Sequence, residues 1–279
     1  MNFGGAEVVN DYTGAGIVIV PVPYDDTSTW MRGSDKGPEA IMEASVNLEF
    51  YDIETKTEVH KRGIHTADPL IGNRSPEDLV NAVYKKIKSL LSEDKFPVIA
   101  GGNHTVSIGA VKAFTGHFSN LSVLQLDAHT DLRNEYEGSA LNHSCTMSRI
   151  LEMVPAVQVG IRSMSADELP FANEERIFYS HRLYYNKALY KKAINMLSEN
   201  VYVTIDLDVF DPSIMPSTGT PEPGGPDYFE LMHFLCDVAK SKNVVGFDVV
   251  ELCPSPLNKA PDFIAAKVIY QLLSYIFSK

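Results

Sequence analysis

Nearly unbroken runs of apolar, often β-branched residues recur along the chain at 16–22, 96–100, 121–126, 156–161, 176–179, 201–205 and 244–250. Runs without a polar position every second residue predict strands covered on both faces, as in a parallel sheet. Between them, apolar residues return at helical spacing over 76–91, 106–114, 187–197, 228–239 and 261–277. Strand and helix in alternation predict an α/β fold of three layers with a central, mostly parallel β-sheet. No repeat interrupts the pattern. Residues 212–226 hold five prolines and three glycines, but they follow an acidic strand end directly. They therefore read as a long ordered loop at a site, not as a linker, and the chain reads as one domain, 1–279.

Composition narrows the classes. The 279 residues include 36 acidic and 24 basic side chains, for a formal net charge of −12, and the pI is near 5.1. No nucleic-acid partner is expected, because a phosphate backbone needs a basic face. No apolar run reaches the roughly 18 residues that a membrane helix requires. The opening Met-Asn-Phe-Gly-Gly lacks a basic, then apolar, secretory pattern. Three cysteines (Cys145, Cys236 and Cys253) suggest a reducing compartment over a disulfide scaffold. The expectation is a cytoplasmic enzyme. The acidic surplus is either a solubilising surface or, in part, a set of cation ligands.

In open α/β sheets, ligands sit beyond the carboxyl ends of the strands, and here those ends are unusual. One run leads into Asn103-His104, another into Asp127-Ala-His129-Thr-Asp131, a third into Asp206-Leu-Asp208 with Asp211-Pro212 beyond, and a fourth into Glu251. Taken singly, His104 reads as a turn residue and each Asp as a helix cap. Taken together, two acidic clusters at strand ends put like charges close to one another, which is costly without a counter-cation. Two imidazoles and four carboxylates with no thiolate form a hard donor set. It suits Mn²⁺ better than structural zinc and is large enough for two bridged ions. Such a pair generates hydroxide at neutral pH, so the inferred chemistry is metal-assisted hydrolysis.

Three motifs then resemble the ureohydrolase (arginase/agmatinase) family. They are Gly101-Gly102-Asn103-His104-Thr105, Asp127-Ala128-His129-Thr130-Asp131, and the stretch from Thr204 through Asp206, Asp208 and Asp211 to Thr218–Gly225. Similarity extends from Pro21-Val-Pro23-Tyr24-Asp25 and Gly37-Pro38-Glu39-Ala40-Ile41 to Glu251. The resemblance implies an arginase-like fold and two Mn²⁺ ions per subunit. One ion would lie among His104, Asp127, Asp131 and Asp206, and the other among Asp127, His129, Asp206 and Asp208. It further implies that Glu251 binds the substrate guanidinium and that His143 carries a proton to the leaving amine. Asp211 is expected to shape its loop.

Arginine-specific members hold the amino-acid end of their substrate with an acid after Gly-Leu-Arg. Here the sequence is Gly160-Ile-Arg162-Ser163-Met-Ser165, with no acid at 163 or 165. That resembles the agmatinase branch, which turns agmatine and water into putrescine and urea in polyamine biosynthesis, and it implies a homotrimer or homohexamer. The alternatives are another ureohydrolase (arginase, guanidinobutyrase or formiminoglutamase-like) and a metal-binding scaffold without turnover. Asn103 and Thr105 stand where the family commonly has an acid and a serine, and Thr204 replaces a serine. Trp30 either lines the pocket or packs at its rim, Glu135 and Glu137 either attract a cationic tail or are solvated, and Cys145 and Cys253 read as small buried hydrophobes.

Overall fold

The computed structural model describes residues 1–8, 11–72 and 75–278. In chain order its strands and α-helices are β1 (Ile17–Val22), α1 (Gly37–Ser45), β2 (Ile64–Thr66), α2 (Pro76–Ser92), β3 (Phe96–Gly101), α3 (Val106–Thr115), β4 (Leu121–Leu126), α4 (Thr146–Leu151), β5 (Ala156–Ile161), β6 (Ile177–Tyr179), α5 (Ser180–Tyr185), α6 (Ala188–Met196), β7 (Asn200–Asp206), α7 (Tyr228–Ser241), β8 (Asn243–Val250) and α8 (Ala260–Phe277). The strands form a single sheet in the order β2-β1-β3-β8-β7-β4-β5-β6. Every pairing is parallel.

The apolar runs are buried on both faces, as their composition predicts. Ile17 and Ile19 of β1 join one core with residues of α1, α6, α7 and α8. Val18, Val20 and Val22 join the opposite core with residues of α2 and α3 and with Met147 and Ile150 of α4. This split is the period-two geometry of a strand, and it yields the three layers.

Local chemistry sets the helix starts. Ser75 accepts from Asp78 N at 3.1 Å ahead of Pro76, and Glu77 and Asp78 lie in the first turn of α2, a favourable N-terminus. Asp227 caps α7 in the same way, accepting from Glu230 N at 2.8 Å.

Some elements depart from the expectation. The strand read as 201–205 extends through Asp206, so a candidate ligand is itself the last strand residue. The run at 176–179 begins at Ile177, and the helix at 187–197 is Ala188–Met196. Edge strand β2 has three residues, too few for an alternation to register, and α1, α4 and α5 are nine residues or fewer. Residues 212–226 contain no strand or helix, as the loop reading anticipates. No described helix is long and apolar enough to cross a membrane.

Candidate metal centre

Four adjacent strands, β3-β8-β7-β4, form the middle of the sheet. Because all run parallel, their carboxyl ends share one edge. His104 follows β3, Glu251 follows β8, Asp206 ends β7 with Asp208 just beyond, and Asp127, His129 and Asp131 follow β4. Residues up to 147 positions apart thus meet: Glu251 Oε1 accepts from His104 N at 2.7 Å.

Backbone detail holds this edge in place. Asp131 and Glu251 adopt left-handed backbone at φ 52° and 66°, a conformation uncommon outside glycine and concentrated at functional sites. A Cβ on Gly102 would overlap the Tyr24 carbonyl, so glycine lets the β3 end pass under that loop. Gly160, at φ 98°, would set a Cβ 2.7 Å from Val209 Cγ2 and 3.0 Å from Asp127 O. Arg162 donates to the carbonyls of Gly160, Asp208, Val209, Phe210 and Glu222. Its guanidinium therefore ties the loop after β7 to the end of β5. Asp211 accepts from Ser213 N and Gly224 N at 3.0 and 2.8 Å, shaping the same loop.

Two ligand groups emerge among the described residues. His104, Asp127 and Asp206 form one, and Asp127, His129 and Asp208 the other, each with its donor atoms within 4.8 Å of one another. Asp127 belongs to both. Asp206 falls in the first group only, while its Oδ1 accepts from Asp208 N at 2.9 Å. His104 Nδ1 lies 3.2, 3.1 and 3.4 Å from oxygens of Asp127, Asp131 and Asp206, yet it is buried and aligned for a hydrogen bond with none of them. His129 Nδ1 is 2.9 Å from Asp208 Oδ2 and 3.6 Å from Asp127 Oδ1. Three carboxylate oxygens converging on one unbonded imidazole nitrogen is the arrangement a cation fits.

Outer contacts orient these donors. Thr204 Oγ1 donates to Asp248 Oδ1 at 2.6 Å, so its oxygen accepts from His104 Nε2 at 2.9 Å. With Nε2–H committed, Nδ1 is the nitrogen that faces the carboxylates. Asp248 also accepts from Tyr202 OH and Ser107 Oγ. Asp127 is held by His129 N and Gln125 Nε2, and Gln125 by Gln158.

The titration pattern describes the same crowding. Burial pushes Asp131 up to about 7, with Asp127 adding to the shift. Burial, then Asp208 and Asp127, raises Asp206 well above the carboxylate range. Burial opposes charging of His104 and His129, but the surrounding carboxylates outweigh it, leaving His104 well above its usual value and His129 at about 12. Protons on the imidazoles offset the carboxylates until divalent ions replace them. Metal uptake at pH 7 should accordingly release about two or more protons per chain, because the groups raised above 7 must give theirs up to ligate. Titrating metal into weakly buffered protein and following pH checks this. Affinity should fall as pH falls, since each added proton competes for a ligand.

Beside the ligands, a cavity of about 280 Å³ is lined by His143, Glu251, Trp30, Met31, Ser163, Met164 and Ser165, among others. Burial raises Glu251 to about 8, against the opposing pull of the His104 N–H. Burial, then His104 and His129, lowers His143 to about 4, so His143 is neutral at pH 7. Trp30 is 69% exposed at the cavity mouth. Glu135 and Glu137 stand exposed and do not line the cavity. Cys145 is buried and Cys253 half-buried. Sequence reasoning passed over Thr27, Asp248 and Arg162 as partners. Asp248 had a signal, an acid inside the apolar run of β8, whereas Thr27 is 116 residues from the His143 it touches.

An all-parallel sheet carrying two ligand groups that share an aspartate, beside a cavity with a buried acid and a neutral histidine, defines an α/β protein built for metal-assisted chemistry. Residues 15–274 match the profile described as Arginase family, and the chain belongs to that family. It is 37% identical over 281 residues to an N(1)-aminopropylagmatine ureohydrolase of Synechocystis sp., covering 97% of this chain and 92% of the relative. It is 34% identical to an agmatinase of Pyrococcus horikoshii, covering 94% and 93%. The crystal structure of an agmatine ureohydrolase of Thermoplasma volcanium superposes with a TM-score of 0.88 at 29% identity, covering 99% of this chain and 94% of that one.

Proposed function

We propose that this chain, acting as one catalytic domain, is an agmatinase-like amidinohydrolase that releases urea and putrescine from agmatine, with a role in polyamine biosynthesis. In this reading two Mn²⁺ ions per chain are held by His104, Asp127, His129, Asp131, Asp206 and Asp208. When bound, such ions supply Lewis-acid polarisation and a water of lowered pKa. The observation that carries the reading is Glu251, a buried carboxylate outside both ligand groups that faces the same cavity.

Glu251 has one oxygen engaged by His104 N–H and offers the other to a planar guanidinium, a strong charge-assisted contact. Ionisation of Glu251 and arrival of the cation favour one another, so its raised value is drawn down as substrate binds. His143, neutral at pH 7, takes up a proton at a ring nitrogen and passes it to the departing amine. Positions 163 and 165 in the cavity wall carry serines, and the nearby wall acid, Glu168, has its oxygens engaged by Thr130 Oγ1, Leu132 N and Ser165 N. Arg133, a cation in that wall, lies over the Tyr136 ring and 3.5 Å from Asp167.

The name of the Synechocystis relative supports a second substrate, aminopropyl-extended agmatine, whose longer tail would leave past the exposed Trp30. Urea release should be measured from agmatine, N(1)-aminopropylagmatine, arginine and guanidinobutyrate, and formamide release from formiminoglutamate. Agmatine or its aminopropyl derivative is expected to give the highest kcat/KM; arginine or guanidinobutyrate leading would overturn the assignment. A cytoplasmic location and a homotrimer or homohexamer complete the proposal, the latter checked by sedimentation.

A further inference from the structure

The motif Gly101-Gly102-Asn103-His104-Thr105 carries an amide at 103, and the structure gives that amide a specific task. Asn103 Oδ1 accepts from Thr105 N at 3.0 Å. A backbone N–H can only donate, which fixes the orientation of the amide without appeal to its own density of partners. Nδ2 therefore faces Thr27, donating to Oγ1 at 2.5 Å, with Ser28 Oγ at 3.5 Å. His143 N also donates to Thr27 Oγ1, at 3.4 Å. Both lone pairs of the Thr27 hydroxyl are then occupied, and its single proton remains to be given.

Two acceptors stand within reach of that proton, His143 Nδ1 at 3.3 Å and Thr105 Oγ1 at 3.4 Å. The imidazole nitrogen is the more basic. A hydrogen-bond chain of one polarity results, from Thr105 N–H through Asn103 and Thr27 to His143 Nδ1. We propose that Asn103, acting through Thr27, fixes the proton of neutral His143 on Nε2, the ring nitrogen turned away from Thr27, and that both are positioning residues for this histidine. An aspartate at 103 would reverse the chain. A carboxylate can only accept, so Thr27 would donate to it and its oxygen would accept from His143 Nδ1–H.

The inference rests on the reading of His143 as the proton carrier for its consequence, but its test does not depend on turnover. Ring nitrogen shifts of ¹⁵N-histidine-labelled full-length chain in Mg²⁺ are read by long-range ¹H–¹⁵N correlation, with His143 identified by its absence in His143→Gln. The wild type should show Nδ1 unprotonated and Nε2 protonated. Asn103→Asp should exchange the two, Thr27→Val should abolish the preference, and Thr27→Ser should restore it. With Mn²⁺, kcat of Asn103→Asp and Thr27→Val should fall about 10–100-fold, with KM within about threefold and recovery in Thr27→Ser.

Nδ1–H in the wild type overturns the proposal, as does an unchanged tautomer in Asn103→Asp or in Thr27→Val. Should Asn103→Asp fail to fold, the Thr27→Val and Thr27→Ser pair decides. If the wild type releases no urea from any guanidine while its shifts follow this pattern, the proposed function fails and the tautomer assignment stands.

Discussion

Asp127→Asn is expected to abolish both stable metal loading and urea release, because Asp127 is the residue common to the two ligand groups. Its carboxylate is buried, and His129 N and Gln125 Nε2 hold its two oxygens in place. The asparagine amide would keep the volume but replace one anionic oxygen with a donor that faces other donors. Loss of an outer-sphere partner alone costs metal sites about 10–100-fold in affinity or activity. Loss of a shared ligand should exceed that, and Asp206→Asn should behave in the same way. Elemental analysis after desalting, beside urea assays in excess Mn²⁺, checks both variants. A fully loaded, active Asp127→Asn would remove the basis for treating these residues as ligands.

Glu251→Gln should do the opposite with respect to metal. Glu251 is outside both groups, so loading should match the wild type. Turnover should not. Breaking a buried charge pair by removing one partner costs about 3–5 kcal/mol, which corresponds to a fall of about 10²–10³-fold or more in kcat/KM for a guanidinium substrate. The amide at 251 would still accept from His104 N through its oxygen, leaving its NH₂ pointed at the cation. Full urea release by Glu251→Gln, with metal retained, would end the assignment of a guanidinium substrate.

Asp127 and Glu251 were both visible in the chain, whereas the shell that supports them is created by folding. The strands of the sheet centre were legible because double-sided burial leaves β3, β4, β7 and β8 as plain apolar runs. The candidate ligands were legible because acids and histidines at the ends of such runs have few other reasons to cluster. Edge strand β2 was not legible: three residues after Gly63 carry no period. Nor was α1, whose buried residues Ala40, Ile41 and Met42 are mixed with Gly37 and Pro38 in nine residues. The supporting shell lay deeper still. Thr27, Asn103 and His143 come together only because the segments that follow β1, β3 and β4 meet above the sheet. Left-handed backbone at Asp131 and Glu251 has no marker in sequence, since neither is glycine.

The membership of the two ligand groups also refines the reading from sequence. Asp127 is common to both groups, and Asp131 reaches His104 at 3.1 Å. Asp206 joins one group directly and contacts a member of the other, accepting from the Asp208 backbone N–H. Its raised titration, set by burial and then by Asp208 and Asp127, marks it as a carboxylate whose charge needs a cation beside it.

Titration tests whether two cooperating metal ions act on a guanidine. Chelator-treated protein is given Mn²⁺ in stoichiometric steps, and urea release from saturating agmatine is measured at each step. The rate should be negligible without metal, rise to a plateau at two equivalents per chain, vanish on renewed chelation and recover on reloading. A rate already maximal at one equivalent, or one indifferent to chelation, would contradict the two-ion reading.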